Sequence, residues 1–155
     1  MHSHRFHLSI PAADVNLSAA WYERVLDCSP GRRSTVAAIL DLGGHQLVLQ
    51  QLQGEPEPDQ PGIYPRHFGL VFDDLSDWQC LQARIAALGE PFAVAPKCRF
   101  AGEVLEHRTF FLRDPSGNWL EFKHYSHRDA VLGCREHTDV GDRELREPGH
   151  PASEQ

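Results

Sequence analysis

Glu121 is the first residue in this sequence whose type and surroundings suggest chemistry. It stands in the apolar segment 119–122, in the second arm of a hairpin predicted over residues 107–125. The Asp, Pro and Gly of segment 114–117 each suit their place in a type I turn between the two arms. An unpaired carboxylate in apolar surroundings is costly, so Glu121 either faces solvent or has a strong partner.

The elements that must position this carboxylate are repeated in the first half of the chain. Residues 7–15 align without gaps on residues 67–75, and residues 41–48 align on residues 114–121. Each half is therefore predicted to be a strand, a helix and three further strands. Such a unit leaves one sheet face bare, so we expect the two units to pack together or across a dimer.

Turn residues and composition divide the chain into four segments. Residues 1–53 form the first unit, and residues 54–65, which contain four prolines, are predicted to be a linker. Residues 66–125 form the second unit. Residues 126–155 are polar and show no period, which predicts a mobile tail.

Hydrophobic periodicity predicts the individual elements. Residues 29–33 are expected to break the first helix, and the second helix is expected to begin at Ser76, with Gln79 completing a capping box. The predicted helices and the strands outside the closing hairpin are strand 5–10, helix 17–26, strand 35–42, strand 46–52, strand 66–72, helix 76–88 and strand 92–96.

Composition excludes several classes of function. The chain has 155 residues, and its 41% hydrophobic content is ordinary for a soluble globular protein. Its net charge of −7 argues against nucleic acid or an anionic membrane as a partner. No apolar run reaches the length of a membrane span, and the start lacks the apolar region of a secretory signal. The four scattered cysteines indicate free thiols, so we expect a cytoplasmic protein.

The repeat, together with its histidines and closing hairpin, resembles a known superfamily. The paired βαβββ units, His7 and His67 in their first strands, and DPSGNWLEF at residues 114–122 are similar to the vicinal oxygen chelate superfamily. This group includes glyoxalase I, bleomycin-resistance proteins, fosfomycin-resistance thiol transferases and extradiol dioxygenases. The resemblance covers residues 5–125 and implies an α+β fold, in which two βαβββ modules form a curved mixed sheet. It also implies a small-molecule substrate and a homodimer.

The resemblance further implies a metal site. The ligand positions of the superfamily fall on His7, Val48, His67 and Glu121, and three of the four carry a ligand type. Two imidazoles and one carboxylate suit one divalent metal, with Fe²⁺ favoured over Mn²⁺, Ni²⁺ or Zn²⁺. Such a site leaves positions open for two adjacent oxygens of a substrate.

Val48 distinguishes between the activities of the superfamily. Glyoxalase I-like sites carry a second acid at this position, and valine can neither bind a metal nor move a proton. Gln50, two residues further on the same face, is no general base either. Three protein ligands resemble the facial triad of non-haem iron oxygenases, so dioxygenase-like chemistry is preferred. His45 is the candidate for the acid-base group that extradiol cleavage needs.

Three alternatives stay open. One is a glyoxalase I-type lyase. Another is a fosfomycin-type thiol transferase, which tolerates a non-ligand at the Val48 position but usually carries a tyrosine where this chain has Phe111. The third, from a different class, is a metal-free drug-binding protein of the bleomycin type, which calls for an aromatic-lined, acidic groove.

Strand parity adds residues that could line a substrate pocket. Ser9 follows His7 on the same face, and Trp119 and Lys123 flank Glu121 on its face. They would supply a small residue, an aromatic wall and a cation for an anionic substrate. The full set of predicted pocket residues is Ser9, Val48, Gln50, Thr109, Trp119 and Lys123.

Overall fold

The chain forms two βαβββ modules, as the repeat predicts. The computed structural model describes residues 3–141. The first module consists of β1 (His7–Ala12), α1 (Val15–Leu26), β2 (Ser29–Arg33), β3 (Ala37–Leu42) and β4 (His45–Gln51). The second consists of β5 (Phe68–Phe72), α2 (Leu75–Ala87), β6 (Val94–Arg99), β7 (His107–Arg113) and β8 (Trp119–Tyr125). The α+β class and the paired modules are confirmed.

The strands form two four-stranded mixed sheets with the same topology. Their orders are β1-β4-β3-β2 and β5-β8-β7-β6. In each sheet the first strand runs parallel to the last strand of its module, and the other pairs are antiparallel. The registers also match, because Ser9 pairs with Val48 where Gly69 pairs with Glu121. Val48 is therefore the structural counterpart of Glu121, as the alignment predicts.

Some local predictions are wrong. Residues 29–33, expected to be a break after the first helix, form the edge strand β2, whose residues are all exposed and so give no burial pattern. The second helix begins at Leu75 with Asp74 as its N-cap, one residue before the expected start at Ser76. The expected Ser76–Gln79 capping box therefore falls inside the helix. In α1, by contrast, the side chain of Asp14 caps the helix and accepts from two backbone N–H groups.

The two modules share one hydrophobic core, in which buried residues of α1, β3 and β4 meet Trp78, Ile85 and the inner faces of β7 and β8. Polar contacts also join the modules. The hydroxyl of Tyr22 donates to Asp114 Oδ2 at 2.7 Å, and the indole of Trp21 donates to Glu90 Oε1 at 2.7 Å. The sheet faces that turn away from the helices are thus left to carry function.

The chain continues past β8 into a short 3₁₀ helix, Arg128–Ala130. Ser126 is held by Glu106 through a backbone and a side-chain hydrogen bond. Gly141 lies so close to Tyr64 that an added Cβ would meet the Tyr64 hydroxyl. Residues 142–155 of the predicted tail lie outside the described residues, so its mobility stays a prediction. Within residues 3–141, the two α-helices are too short and too polar to span a membrane.

Candidate functional site

The candidate site lies on the face of the second sheet that turns away from α2. Leu120 and Phe122 are fully buried in the core, so Glu121 between them must point to the opposite face. In the ladder, Glu121 stands opposite Phe111 of β7, and Lys123 stands opposite Thr109. This face therefore combines a carboxylate, a hydroxyl, an ammonium group and an aromatic ring on two neighbouring strands.

Glu121 is 4% exposed and has several polar partners. The hydroxyl of Thr109 donates to Oε1 at 2.7 Å, His67 Nε2 lies 3.1 Å from Oε2, and Lys123 Nζ lies 3.4 Å from Oε2. Burial alone would raise the pKa of this carboxyl. The hydrogen bond to His67, the charge of Lys123 and the hydrogen bond from Thr109 outweigh burial and lower the pKa to about 2. Glu121 is thus an ionised carboxylate with the partners that the sequence requires.

His67 lies just before β5 and is oriented from both sides of its ring. Nδ1 lies 2.6 Å from the carbonyl oxygen of Ile63, which can only accept, so Nδ1 carries the proton. Nε2 therefore faces Glu121 either as a second donor or as a free lone pair. The hydrogen bond to Glu121 raises the pKa of His67, and burial opposes this rise. The rings of Tyr64 and Phe111 pack edge-on against the imidazole.

Two residues of this face, Arg99 and His107, were not among the predicted pocket residues. Arg99 is 8% exposed, and its Nη1 lies 3.7 Å from Glu121 Oε1. The second strand of this module was predicted to end at residue 96, whereas β6 runs to Arg99. His107 pairs with Arg99 across the ladder and lies two residues before Thr109, so hairpin parity could have identified it. Burial lowers the pKa of His107.

Gly69 allows β5 and β8 to approach at the level of the site. A Cβ added at this position would lie 1.6 Å from the carbonyl oxygen of Glu121, so no side chain fits. At the matching position of the first sheet, Ser9 carries an exposed side chain. The close approach is therefore a property of the second module alone.

The predicted site residues of the first module lie apart from this cluster. His7 is exposed, and its Nδ1 lies 2.7 Å from Gln46 Oε1. Gln50 is exposed on β4, and Val48 is buried. His45 accepts a hydrogen bond from the backbone N–H of Phe6 at 3.1 Å. Among residues 3–141, no three His, Cys, Asp or Glu side chains form a group that could hold a metal ion.

Of the predicted residues, the structure thus brings together His67, Glu121, Thr109 and Lys123. Trp119 lies on the same strand as Glu121, and the guanidinium carbon of Arg113 lies 5.1 Å from the centroid of the Trp119 ring. Chemically, the cluster offers two potential metal ligands beside two cations. A metal held by Glu121 would have Lys123 as a close positive neighbour. Binding of a divalent ion therefore requires the ammonium group to move away from Glu121 Oε2.

Known proteins with this fold are similar over most of the chain. A family model described as the Glyoxalase/Bleomycin resistance protein/Dioxygenase superfamily matches residues 5–122. A glyoxalase/bleomycin resistance protein/dioxygenase from Alicyclobacillus acidocaldarius is 38% identical, with a TM-score of 0.77, and the match covers 83% of this chain and 96% of that one. The comparison with curated proteins gave no match.

Two more distant structures show likeness of fold only. Lactoylglutathione lyase from Agrobacterium tumefaciens is 21% identical with a TM-score of 0.60, and the match covers 79% of this chain and 94% of that one. The fosfomycin resistance protein FosX from Listeria monocytogenes is 14% identical with a TM-score of 0.60, covering 84% and 99%. With the family model spanning both modules, the chain belongs to the glyoxalase/bleomycin resistance protein/dioxygenase superfamily.

Proposed function

We propose that this protein is a cytoplasmic, divalent-metal-dependent enzyme whose substrate chelates the metal through two adjacent oxygens. Fe²⁺ and dioxygenase-like chemistry are preferred, with Mn²⁺, Ni²⁺ or Zn²⁺ as other metals. The bound metal would act as a Lewis acid and hold the substrate oxygens in place. Side chains around Glu121 would hold the metal and position the substrate.

The observation that carries this proposal is the orientation of His67. Histidines that bind metals usually donate their other ring N–H to a carbonyl or carboxylate, which fixes the tautomer. The Nδ1 contact with Ile63 does this and directs Nε2 toward Glu121 Oε2. Thr109 holds Oε1, so Oε2 is the oxygen left to face a metal together with His67. These two residues fit a divalent ion as part of a ligand set.

The third ligand in the proposal is His7, from a second copy of the chain. His7 is exposed on the first sheet and contacts Gln46, so a neighbouring subunit can reach it. The faces of the two sheets that turn away from the helices are both available for such pairing. We therefore propose a homodimer in which the first sheet of one copy covers the second sheet of the other.

Lys123 would position the substrate in this proposal. Its ammonium group lies beside Glu121 Oε2 and is only partly exposed. When a metal takes that oxygen, Lys123 can turn to an ionised oxygen of the substrate, where its charge offsets the negative charge of a chelating anion.

Val48 supports the preference for dioxygenase-like chemistry over a glyoxalase I-type lyase. The matched registers make it the counterpart of Glu121, and it is a buried apolar residue. The first module therefore offers no second carboxylate to move a proton at this position.

Metal analysis of protein purified without a His tag tests the proposal. We expect about one equivalent of metal per chain after reconstitution with Fe²⁺, and a loss of most of it in His67→Ala. His127→Ala is the matched control, because this histidine is exposed beyond β8. A wild-type chain that stays empty after reconstitution would overturn the proposal.

A metal-free binding protein is the second candidate. The observation that favours it is that Lys123, Arg99 and His67 all lie within ion-pair distance of Glu121 and can balance its charge themselves. The acidic groove expected for a bleomycin-type binder does not match these cations. A ligand that binds equally well to chelator-treated wild type and to His67→Ala would favour this candidate.

A further inference from the structure

A cavity of about 500 Å³ lies under the linker, where the two modules meet. Linker residues 56–60 cover it, β1 forms one wall, and the beginning of β5 and the turn before β8 form the other walls. Pockets for small molecules have volumes of about 300–1,000 Å³, so this cavity can hold a ring system.

The walls of the cavity are mostly hydrocarbon. Its apolar side chains come from both modules and include two aromatic rings, and four prolines add further carbon surface. Burial of apolar surface stabilises a complex by roughly 25 cal/mol per Å², so these walls favour an apolar body. The apolar side chains are Leu8, Ile10, Leu52, Phe68 and Trp119.

Polar contacts hold the linker in place over the cavity. Arg113 Nη2 lies 3.2 Å from Asp59 Oδ2, which ties the linker to the end of β7. The side chain of Gln60 accepts from the backbone N–H of Arg66 at 3.0 Å and donates to its carbonyl at 2.9 Å. The cavity is thus formed before any ligand arrives, which limits the entropy lost on binding.

His67 connects this cavity to the candidate metal ligands. His67 is one of the residues that line the cavity, and its Nε2 lies 3.1 Å from Glu121 Oε2. We propose that the cavity receives the apolar, ring-containing body of the substrate, whose two oxygens extend past His67 toward Glu121. The placement of the oxygens rests on the proposed function, whereas binding of the apolar body does not need a metal.

The three tryptophans provide a local readout. Trp21 donates its indole N–H to Glu90, and Trp78 donates to the carbonyl oxygen of Phe122 at 2.9 Å. Trp119 lines the cavity, and within residues 3–141 its buried indole nitrogen has no hydrogen-bond partner. A ring entering the cavity should therefore change the indole N–H resonance of Trp119 and leave the other two unchanged.

The experiment is a titration of 2-naphthol, which has a fused ring but no second oxygen, into the ¹⁵N-labelled full-length chain. We expect saturable binding that shifts the Trp119 indole signal in both metal-free and Zn²⁺-loaded protein. Leu52→Trp fills the cavity and should weaken binding by at least about tenfold. Leu17→Trp, on the exposed side of α1, is the matched control and should stay within about twofold of wild type.

Pro58→Trp, at the exposed linker wall, repeats the test if Leu52→Trp fails to fold. Binding of 2-naphthol without a Trp119 shift, or unweakened binding to a folded cavity-filling variant, would overturn the assignment. Metal content separates the two proposals, because Leu52→Trp should keep the metal equivalents of wild type. If wild-type protein binds 2-naphthol at Trp119 but binds no metal, the cavity assignment is upheld and the proposed function is overturned. If it binds metal but no 2-naphthol, only the cavity assignment is overturned.

Discussion

The two modules share one backbone plan and differ in the face that each sheet presents. Ser9 pairs with Val48 in the first sheet, and Gly69 pairs with Glu121 in the second. Two residues further along β4 and β8, Gln50 stands opposite Ala37, whereas Lys123 stands opposite Thr109. At these positions the first face is therefore uncharged, and the second carries a buried carboxylate among donors.

This difference shows what a buried acid requires of its neighbours. Glu121 is ionised in the second module because Thr109, His67 and Lys123 all stabilise its charged form. The first module keeps a histidine, His7, at the position of His67, but it has Ala37 and Gln50 in place of Thr109 and Lys123, and a valine replaces the acid. An ionised acid on a buried sheet face thus depends on several partner residues, and a single substitution to Glu would not supply them.

The largest difference between the modules is expected at Gly69 and Ser9. Gly69→Ala would force the new Cβ against the carbonyl oxygen of Glu121 and separate β5 from β8. We expect a loss of about 3 kcal/mol or more in the free energy of unfolding. Ser9→Ala, at the exposed counterpart, should change it by about 0.5 kcal/mol or less. Urea unfolding of both variants measures this, and equal losses would contradict the close approach.

A smaller effect is expected from the charge of Glu121. Because its pKa is lowered from 4.5 to about 2, this carboxyl stabilises the fold at all pH values above 4.5. That stabilisation, up to about 3 kcal/mol, is lost as the pH falls from 4.5 toward 2. Glu121→Gln should therefore be less stable than wild type at pH 7, and the gap should narrow in acid.

Metal-free protein is used for this comparison, with urea unfolding at several pH values. Glu55→Gln, in the exposed linker, is the control and should follow the wild-type curve. A gap between Glu121→Gln and wild type that stays constant down to pH 2 would contradict the ionised, partnered carboxylate.

The smallest effect is expected from single hydrogen bonds on the two faces. Thr109→Val removes the buried donor to Glu121 Oε1 while keeping the shape of the side chain, and should cost about 1–2 kcal/mol. Gln46→Ala removes the exposed contact to His7 and should cost about 0.5 kcal/mol or less. Thermal unfolding of the pair checks the order, and a reversed order would refute the burial argument.

Much of the fold could be predicted because the repeat shows the same pattern of strands and helix twice in the sequence. Both helices and the counterpart relation of Val48 and Glu121 follow from the alignment of the halves. The edge strand β2 was missed because all its residues are exposed, so hydrophobic periodicity is absent there. The start of α2 was misplaced because Asp74 and Ser76 are both common N-cap types, and the side chain of Asp74, the actual N-cap, makes no capping hydrogen bond.

The candidate site was predicted in part. Strand parity put Trp119 and Lys123 on the face of Glu121, because parity follows directly from an extended backbone, and in the structure Lys123 stands opposite Thr109. The contact of Arg99 with Glu121 could not be predicted, since it depends on where β6 ends and how β6 pairs with β7. The cavity under the linker was also out of reach, because it depends on how the two modules meet.

A subunit-mixing measurement tests the central claim that one site combines His7 of one copy with His67 and Glu121 of another. His7→Ala and His67→Ala chains, each nearly metal-free alone, are co-expressed with different tags, and the mixed dimer is purified. We expect the mixed dimer to bind about half an equivalent of metal per chain, because one of its two sites is intact. A mixed dimer as empty as its parents, beside a wild type that binds metal, would contradict the shared site.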